Sequence, residues 1–356
     1  MTVLPFLALL GITLLWLALP LLPALREWLK PTDLAPLKVV DRSSGYVAYF
    51  ARNFRQYLER QMTGLPAEAQ AGDFFGHLPD GTPFLRVHKQ PEAIAREAAQ
   101  GLENQLVVVD LPASLAGGET FLMELYARAP LVGGPDAVYR AVYAERELTF
   151  GARSAVLRWA HAGGRLEVGR GSTMRGRLSS DAAVVLGPEV TFERVGAPLI
   201  SVGDPSDPPP DPPSRLPACP LPPDARRIGD HLRIDGDFTV PEGTRVTSNL
   251  VVAGDLRIGP GAIVEGSVKA HRSLVLAGES QVRGSAVAGT ALTVGAAAWI
   301  MGPAIAEERI LASRDAVIGG PGQPATLSAP VIELESGVTV HGQISAMRIA
   351  RTKAGL

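Results

Sequence analysis

The chain has 356 residues, a formal net charge of −2, 6% aromatic residues, 38 glycines, 30 prolines and one cysteine. That length admits two or three domains or one elongated array. The near-neutral balance excludes a strongly basic nucleic-acid binder. Cys219 alone excludes an intrachain disulfide and any cysteine-cluster metal site, and reads as an inert thiol in a flexible segment.

Residues 3–25, VLPFLALLGITLLWLALPLLPAL, carry no charge, and Pro5, Pro20 and Pro23 lie near the ends. At about 1.5 Å of rise per residue such a stretch reaches across a hydrocarbon layer of roughly 30 Å. A cleaved signal peptide needs a basic start and a small-residue cleavage site, yet no Lys or Arg precedes the segment. Arg26, Lys30, Lys38, Arg42, Arg52, Arg55 and Arg60 follow it. The expectation is a single-pass transmembrane anchor over 1–25 in a bacterial inner membrane, with the C-terminal bulk cytoplasmic. A cleaved signal with an exported domain is the alternative.

The basic segment 26–62 contains a predicted helix over 43–62, capped by Ser43 or Ser44. Tyr46, Tyr49, Phe50, Phe54, Tyr57 and Leu58 follow helical spacing, with Arg52, Arg55 and Arg60 between them. Such a helix lies on anionic lipid or packs on the domain behind it, and the sequence leaves both open. Residues 63–128 read as a small α/β adaptor. Strands are expected at 84–88 and 105–110, with a helix at 91–102 that has Pro91 in its first turn.

From residue 129 an eighteen-residue frame takes over, in blocks 129–203 and 226–348, followed by a tail at 349–356. Column 2 holds Leu148, Leu166, Leu256, Leu274, Leu292 and Ile332; column 4 holds Val132, Phe150, Ile258, Leu276, Val294 and Leu334. Column 10 holds Val138, Val156, Val264, Val282, Ile300 and Val340, and column 14 holds Val268, Ala286 and Ile344. The apolar positions come in three alternating pairs six residues apart, so each pair is a short strand with one face inward. Gly259, Gly266, Gly284, Gly302 and Gly342 stand between the pairs, where glycine turns a corner at positive φ without a Cβ penalty. Three strands and three corners per coil predict an all-β parallel β-helix whose coils stack about 4.8 Å apart. The proline-rich stretch 204–225 cannot join a ladder and reads as an extended loop or linker. The frame resumes beyond it, which favours one continuous stack over two separate blocks.

His161, His231, His271 and His341 fall in odd, outward columns of four different coils, and the acids are equally scattered. They read as solvated surface groups. No catalytic, cofactor-binding or metal set emerges, and GRGSTMRG (169–176) lacks the Lys-Ser/Thr ending of a phosphate loop.

The stretch NLVVAGDLRIGPGAIVEGSVKAHRSLVLAGESQVRGSAVAG (249–289) resembles the bactofilins, bacterial polymer-forming cytoskeletal proteins, with the likeness extending over 226–348 and more loosely over 129–200. The resemblance implies a right-handed β-helix that joins end to end into nucleotide-independent filaments, often at a membrane. The chain adds a full apolar segment, the region 43–128 and the proline-rich interruption to that pattern. The expected function is a membrane-anchored scaffold that self-associates through terminal coils and organises envelope or polysaccharide machinery. The expected partners are further copies, lipid and envelope proteins, with no cofactor and no nucleic acid. With the N-terminal end blocked by the preceding region, the end near 331–348 is expected to be exposed. Two alternatives share the rhythm: a trimeric hexapeptide-repeat acyltransferase, which lacks its groove histidine here, and an anchored interaction module that does not polymerise.

Overall fold

The computed structural model describes residues 3–21, 47–66, 69, 72–88, 104–209 and 216–354. The chain forms two compact units, Met1–Gly45 and Tyr46–Leu356. In the first, helix α1 spans Val3–Ala18 and a 3-10 turn follows at Leu19–Leu21. At about 1.5 Å per residue α1 is roughly 24 Å long, and no helix among the described residues is long and apolar enough to cross a membrane. Residues 22–25 of the expected anchor, the Ser43/Ser44 cap and the expected helix at 91–102 lie outside the described residues.

The second unit is a parallel β-solenoid with helix α2 (Tyr49–Thr63) laid on one side. In the second block three ladders run side by side. One joins Leu250, Val268 and Ala286; the next joins Leu256, Leu274, Leu292, Ile310 and Ile332; the third joins Val246, Val264, Val282, Ile300, Ile318 and Val340. Their inward side chains form one core with the first block. Short polar side chains bind the outer corners across coils. The Asn249 carbonyl accepts from Ser267 N (2.8 Å), and the Asp255 carboxylate accepts from Ser273 N (2.9 Å).

The solenoid starts before residue 129. Leu106–Val109 pairs in parallel with the strand Thr120–Ala127, and Pro83–Val87 pairs in parallel with Leu106–Val109. The expected strands at 84–88 and 105–110 are therefore solenoid strands within one residue or two. In the first block Leu131 pairs with Leu148, seventeen residues on. The strict frame placed Val132 and Val138 inside. The shorter coil instead buries Leu131 (1% exposed) and Tyr139 (1%) and turns Val132 outward (46%).

The corner glycines have a different cause from the one expected. Of the five, Gly342 alone has positive φ, +123°. A Cβ on Gly284 would stand 2.5 Å from the backbone N of Ser267, and one on Gly259 would stand 2.7 Å from that of Glu242. Close stacking of one coil on the next excludes a side chain there. The left-handed corner falls elsewhere, at Gly243, Gly261, Glu279, Ala297 and Asp315, each eighteen residues from the last. Gly284→Ala should therefore destabilise the protein by about 1–3 kcal/mol through overpacking. Ala297→Gly, which relieves a left-handed alanine, should leave stability equal or higher by about 1 kcal/mol. Urea denaturation of both variants checks the contrast.

The two blocks meet tail to tail. The strand Thr191–Val202, last of the first block, pairs antiparallel with Thr339–Thr352, last of the second. Val195 faces Ile344, Ile200 faces Val340, and Thr191 faces Arg351. Val202 N donates to Val338 O (3.0 Å) and Thr352 N donates to Val190 O (2.9 Å), closing both edges of the seam. The stack is continuous, but its direction reverses, and the end near 331–348 is covered by the first block instead of exposed. The proline-rich connection makes this possible by returning the chain to the far end of the second block. It also contributes contacts there: Cys219 N donates to Arg245 O and Arg245 N to Pro217 O, both at 2.9 Å. Cys219 is buried at the end of the core, and burial pushes its thiol pKa up, so it is inert but not in a free segment.

Candidate functional site

Helix α2 settles on the solenoid because its apolar stripe matches a covered outer face of the first block. Ala51, Leu58 and Met62 are buried. Phe54 lies 5.3 Å from Trp159 and 6.4 Å from Tyr126, and Tyr126 stacks on Tyr143 at 5.4 Å, ring centroid to centroid. Tyr126 and Tyr143 occupy matching positions on successive coils, with Trp159 two residues off that column, so they make an outward aromatic surface that only a covering element can shield. Of the two readings of this helix, packing on the domain accounts for Phe54, Tyr57 and Leu58. Tyr49 (42% exposed) and Phe50 (48%) remain at the surface.

The column continues into His161, which the odd-column reading placed in solvent. It is 1% exposed, because α2 covers its face. Its Nδ1 lies 2.8 Å from Ser179 Oγ, its ring 5.0 Å from that of Tyr143, and its Nε2 3.6 Å from Asp181 Oδ2. Asp181 in turn pairs with Arg52 of α2 at 3.2 Å. In a Ser–His–Asp relay the hydroxyl and carboxylate hold opposite nitrogens at hydrogen-bonding distance. Here the carboxylate is beyond hydrogen-bond reach, and Asp181 links the ladder to α2. Burial holds the His161 pKa below its ordinary value, with Asp181 opposing and Arg52 and Arg55 adding to the effect. A histidine whose folded pKa is lowered binds its proton more readily when unfolded. Its stabilising contribution is present above the unfolded pKa of 6.5 and is lost as pH falls from there toward the folded value. His161→Gln should flatten that part of a stability-against-pH curve measured by thermal unfolding.

Beside His161, at the seam, a cleft of about 630 Å³ is lined by Val47 and Ala48, Asp181, Pro198, Pro324 and His341. His341 Nδ1 is 3.3 Å from Pro198 O across the seam. His271 is exposed, and His231 is half-buried 3.5 Å from Asp230. No group of three His, Cys, Asp or Glu among the described residues is placed to hold a metal ion.

The core positions singled out from the sequence fall where the frame put them. Leu256, Ile258, Val264, Leu274, Leu276, Val282, Ile332, Leu334, Val340 and Ile344 are all at most 1% exposed. They line one core without converging on a surface site, and Val340 and Ile344 belong to the internal seam. The seam is the feature the sequence did not announce, since apolar columns look the same whichever coil comes next. Comparison with protein-family models, with curated proteins and with solved structures finds no match.

Proposed function

We propose that this chain is a bactofilin-like, membrane-anchored scaffold without catalytic activity, whose solenoid is sealed on itself. The observation that carries this reading is the antiparallel seam between Thr191–Val202 and Thr339–Thr352. A terminal coil offers unpaired backbone groups, and those groups drive end-to-end association. In this chain the first block occupies the place that a second copy would take. The other end of the second block is largely covered as well, by the hairpin Arg226–Ile228/His231–Ile234 and by Pro217–Cys219. The product is a closed rod that presents its sides, and not its ends, to envelope proteins.

Two features support the anchor. Residues 3–25 carry no charge, and α1 has Leu9 (65% exposed), Ile12 (57%), Leu14 (57%) and Trp16 (73%) turned outward, a surface that calls for an apolar surrounding. The basic residues after it support a cytoplasmic position for the solenoid, and the family likeness implies right-handed winding.

Self-association through the remaining end is a second reading, with one observation in its favour: Phe238–Val240 pairs on one side only among the described residues. Electron microscopy of the full chain in detergent separates the two. The closed rod gives discrete particles of one length at all concentrations. Dimers of doubled length, or filaments, support the second reading and count against the first.

A further inference from the structure

We infer that one corner of the first block, continued across the seam, is a docking ridge for an anionic membrane surface. The register defines the corner. Phe121, Tyr139, Val156, Met174 and Phe192 face each other on one side of it. Ala141, Trp159, Arg177 and Arg194 do so on the other. The residues between them project from the corner. Arg194 pairs with Ser345 and Phe192 with Ala350, so Met347 and Arg348 extend the same ridge onto the second block.

Two kinds of side chain alternate there. Leu122 (39% exposed), Leu157 (43%) and Met347 (67%) are large apolar groups left in the open. Between them stand Arg158, Arg175 and Arg348, with the half-buried Arg177 and Arg194 on the flank beside them, and none of these five forms an ion pair among the described residues. At other corners of the same block Arg153 holds Asp136 at 2.6 Å, Arg170 holds Glu189 at 2.9 Å and Arg165 holds Glu167 at 2.7 Å, while Arg146 stands by itself among the described residues, without an arginine neighbour in the register. On the ridge itself Arg140 is paired, with Glu124 at 3.3 Å, and Glu193 is the acid that shares the corner. Arg177 lies 4.6 Å over the exposed Phe50 ring, and its Nη1 is buried without a hydrogen-bond partner. Burial, and then Arg194 beside it, lower its affinity for a proton.

Unpaired cations attract any polyanion. Interleaved leucine, methionine and phenylalanine side chains point to lipid, because they gain by entering the headgroup–acyl boundary while the arginines stay among phosphates. A second observation agrees. Val47, the first described residue of this unit, stands against Gly196, two residues from Arg194. The inference rests on the membrane-anchored reading for the source of the lipid. It adds that the solenoid itself meets the bilayer, along this ridge.

The test uses the full chain carrying Cys219→Ser and Leu157→Cys, with an environment-sensitive fluorophore on the new thiol. It is placed in nanodiscs of phosphatidylcholine or of phosphatidylcholine with phosphatidylglycerol, each containing a spin-labelled lipid as quencher. Quenching in the phosphatidylglycerol discs alone, reversed by salt, is the expected result. Arg175→Glu, Arg194→Glu and Arg348→Glu should weaken it by roughly fivefold per arginine. If the chain enters the discs and the fluorophore stays unquenched in both, the ridge proposal is overturned while the anchor stands. If the chain does not enter discs, the anchor reading fails, and flotation with phosphatidylglycerol vesicles then decides the ridge: binding lost in the three variants supports it, and no binding overturns it. Ridge-dependent binding of heparin without lipid quenching also overturns it, in favour of a soluble polyanion.

Discussion

Ile344→Glu should cost about 5 kcal/mol or more and part the two halves of the solenoid. Ile344 is fully buried and faces Val195 across the seam. A carboxylate at that position has no partner and no water, and an unpaired buried charge is among the few single changes of that size. The outcome has two parts. Urea denaturation should show a lowered midpoint. Light scattering should show association that rises with concentration, because Thr191–Val202 and Thr339–Thr352 then present open edges. If the position lay at an interface between copies, the same change would leave the fold stable and convert an assembly into monomers. The sign of the change in particle size therefore separates a seam within the chain from one between chains.

Asp110→Ala should cost about 3–5 kcal/mol, for a reason located at the opposite end of the first block. Arg86 is 5% exposed, on the strand Pro83–Val87 that caps the first coil. Its Nε donates to Asp110 Oδ2 at 2.6 Å and its Nη1 to Ala69 O at 2.8 Å. Arg128 approaches the other oxygen at 3.3 Å, and His88 Nδ1 lies 3.1 Å from the first. Removing the carboxylate leaves the Arg86 guanidinium buried with a carbonyl as its remaining partner. The double variant Arg86→Met/Asp110→Leu, which removes both charges, should recover most of the loss. Equal destabilisation by the single and the double variant would mean that packing, and not charge, holds the cap. Denaturant midpoints of the three proteins decide between them.

Much of the fold is written in period and spacing. Leu256, Leu274 and Leu292 recur every eighteen residues because each must fill the same place in the coil, and that regularity identifies a stacked three-sided core without any further information. The glycines were legible as corner markers but not in their role. Sequence shows that a side chain is missing at Gly284; only the neighbouring coil shows what it would strike. The slip at Val132 has the same origin, since a coil one residue short moves positions 131–139 to the other face before the eighteen-residue register returns at Ala141. His161 was misplaced because column parity tells inside from outside of the solenoid, and α2 makes part of the outside an interior.

The seam lies beyond such reasoning altogether. A ladder of leucines and valines is compatible with a coil of either direction above it. What decides is the length and course of the connection 204–225, whose prolines exclude strand without stating where the chain goes. The ridge of unpaired arginines was hidden for a related reason. Arg158, Arg175 and Arg194 are ordinary outward residues in sequence, and become one feature only when the register brings them to the same corner without an ion pair of their own.

The most direct test of the sealed rod is a disulfide across the seam. Thr191 and Arg351 are partners in the antiparallel register and both side chains reach the outer face. With Cys219→Ser as background, Thr191→Cys/Arg351→Cys should oxidise within one chain. The product should migrate as a monomer, faster than its reduced form on a denaturing gel. A covalent dimer or ladder formed between chains at low concentration would contradict a seam made by the two halves of one molecule.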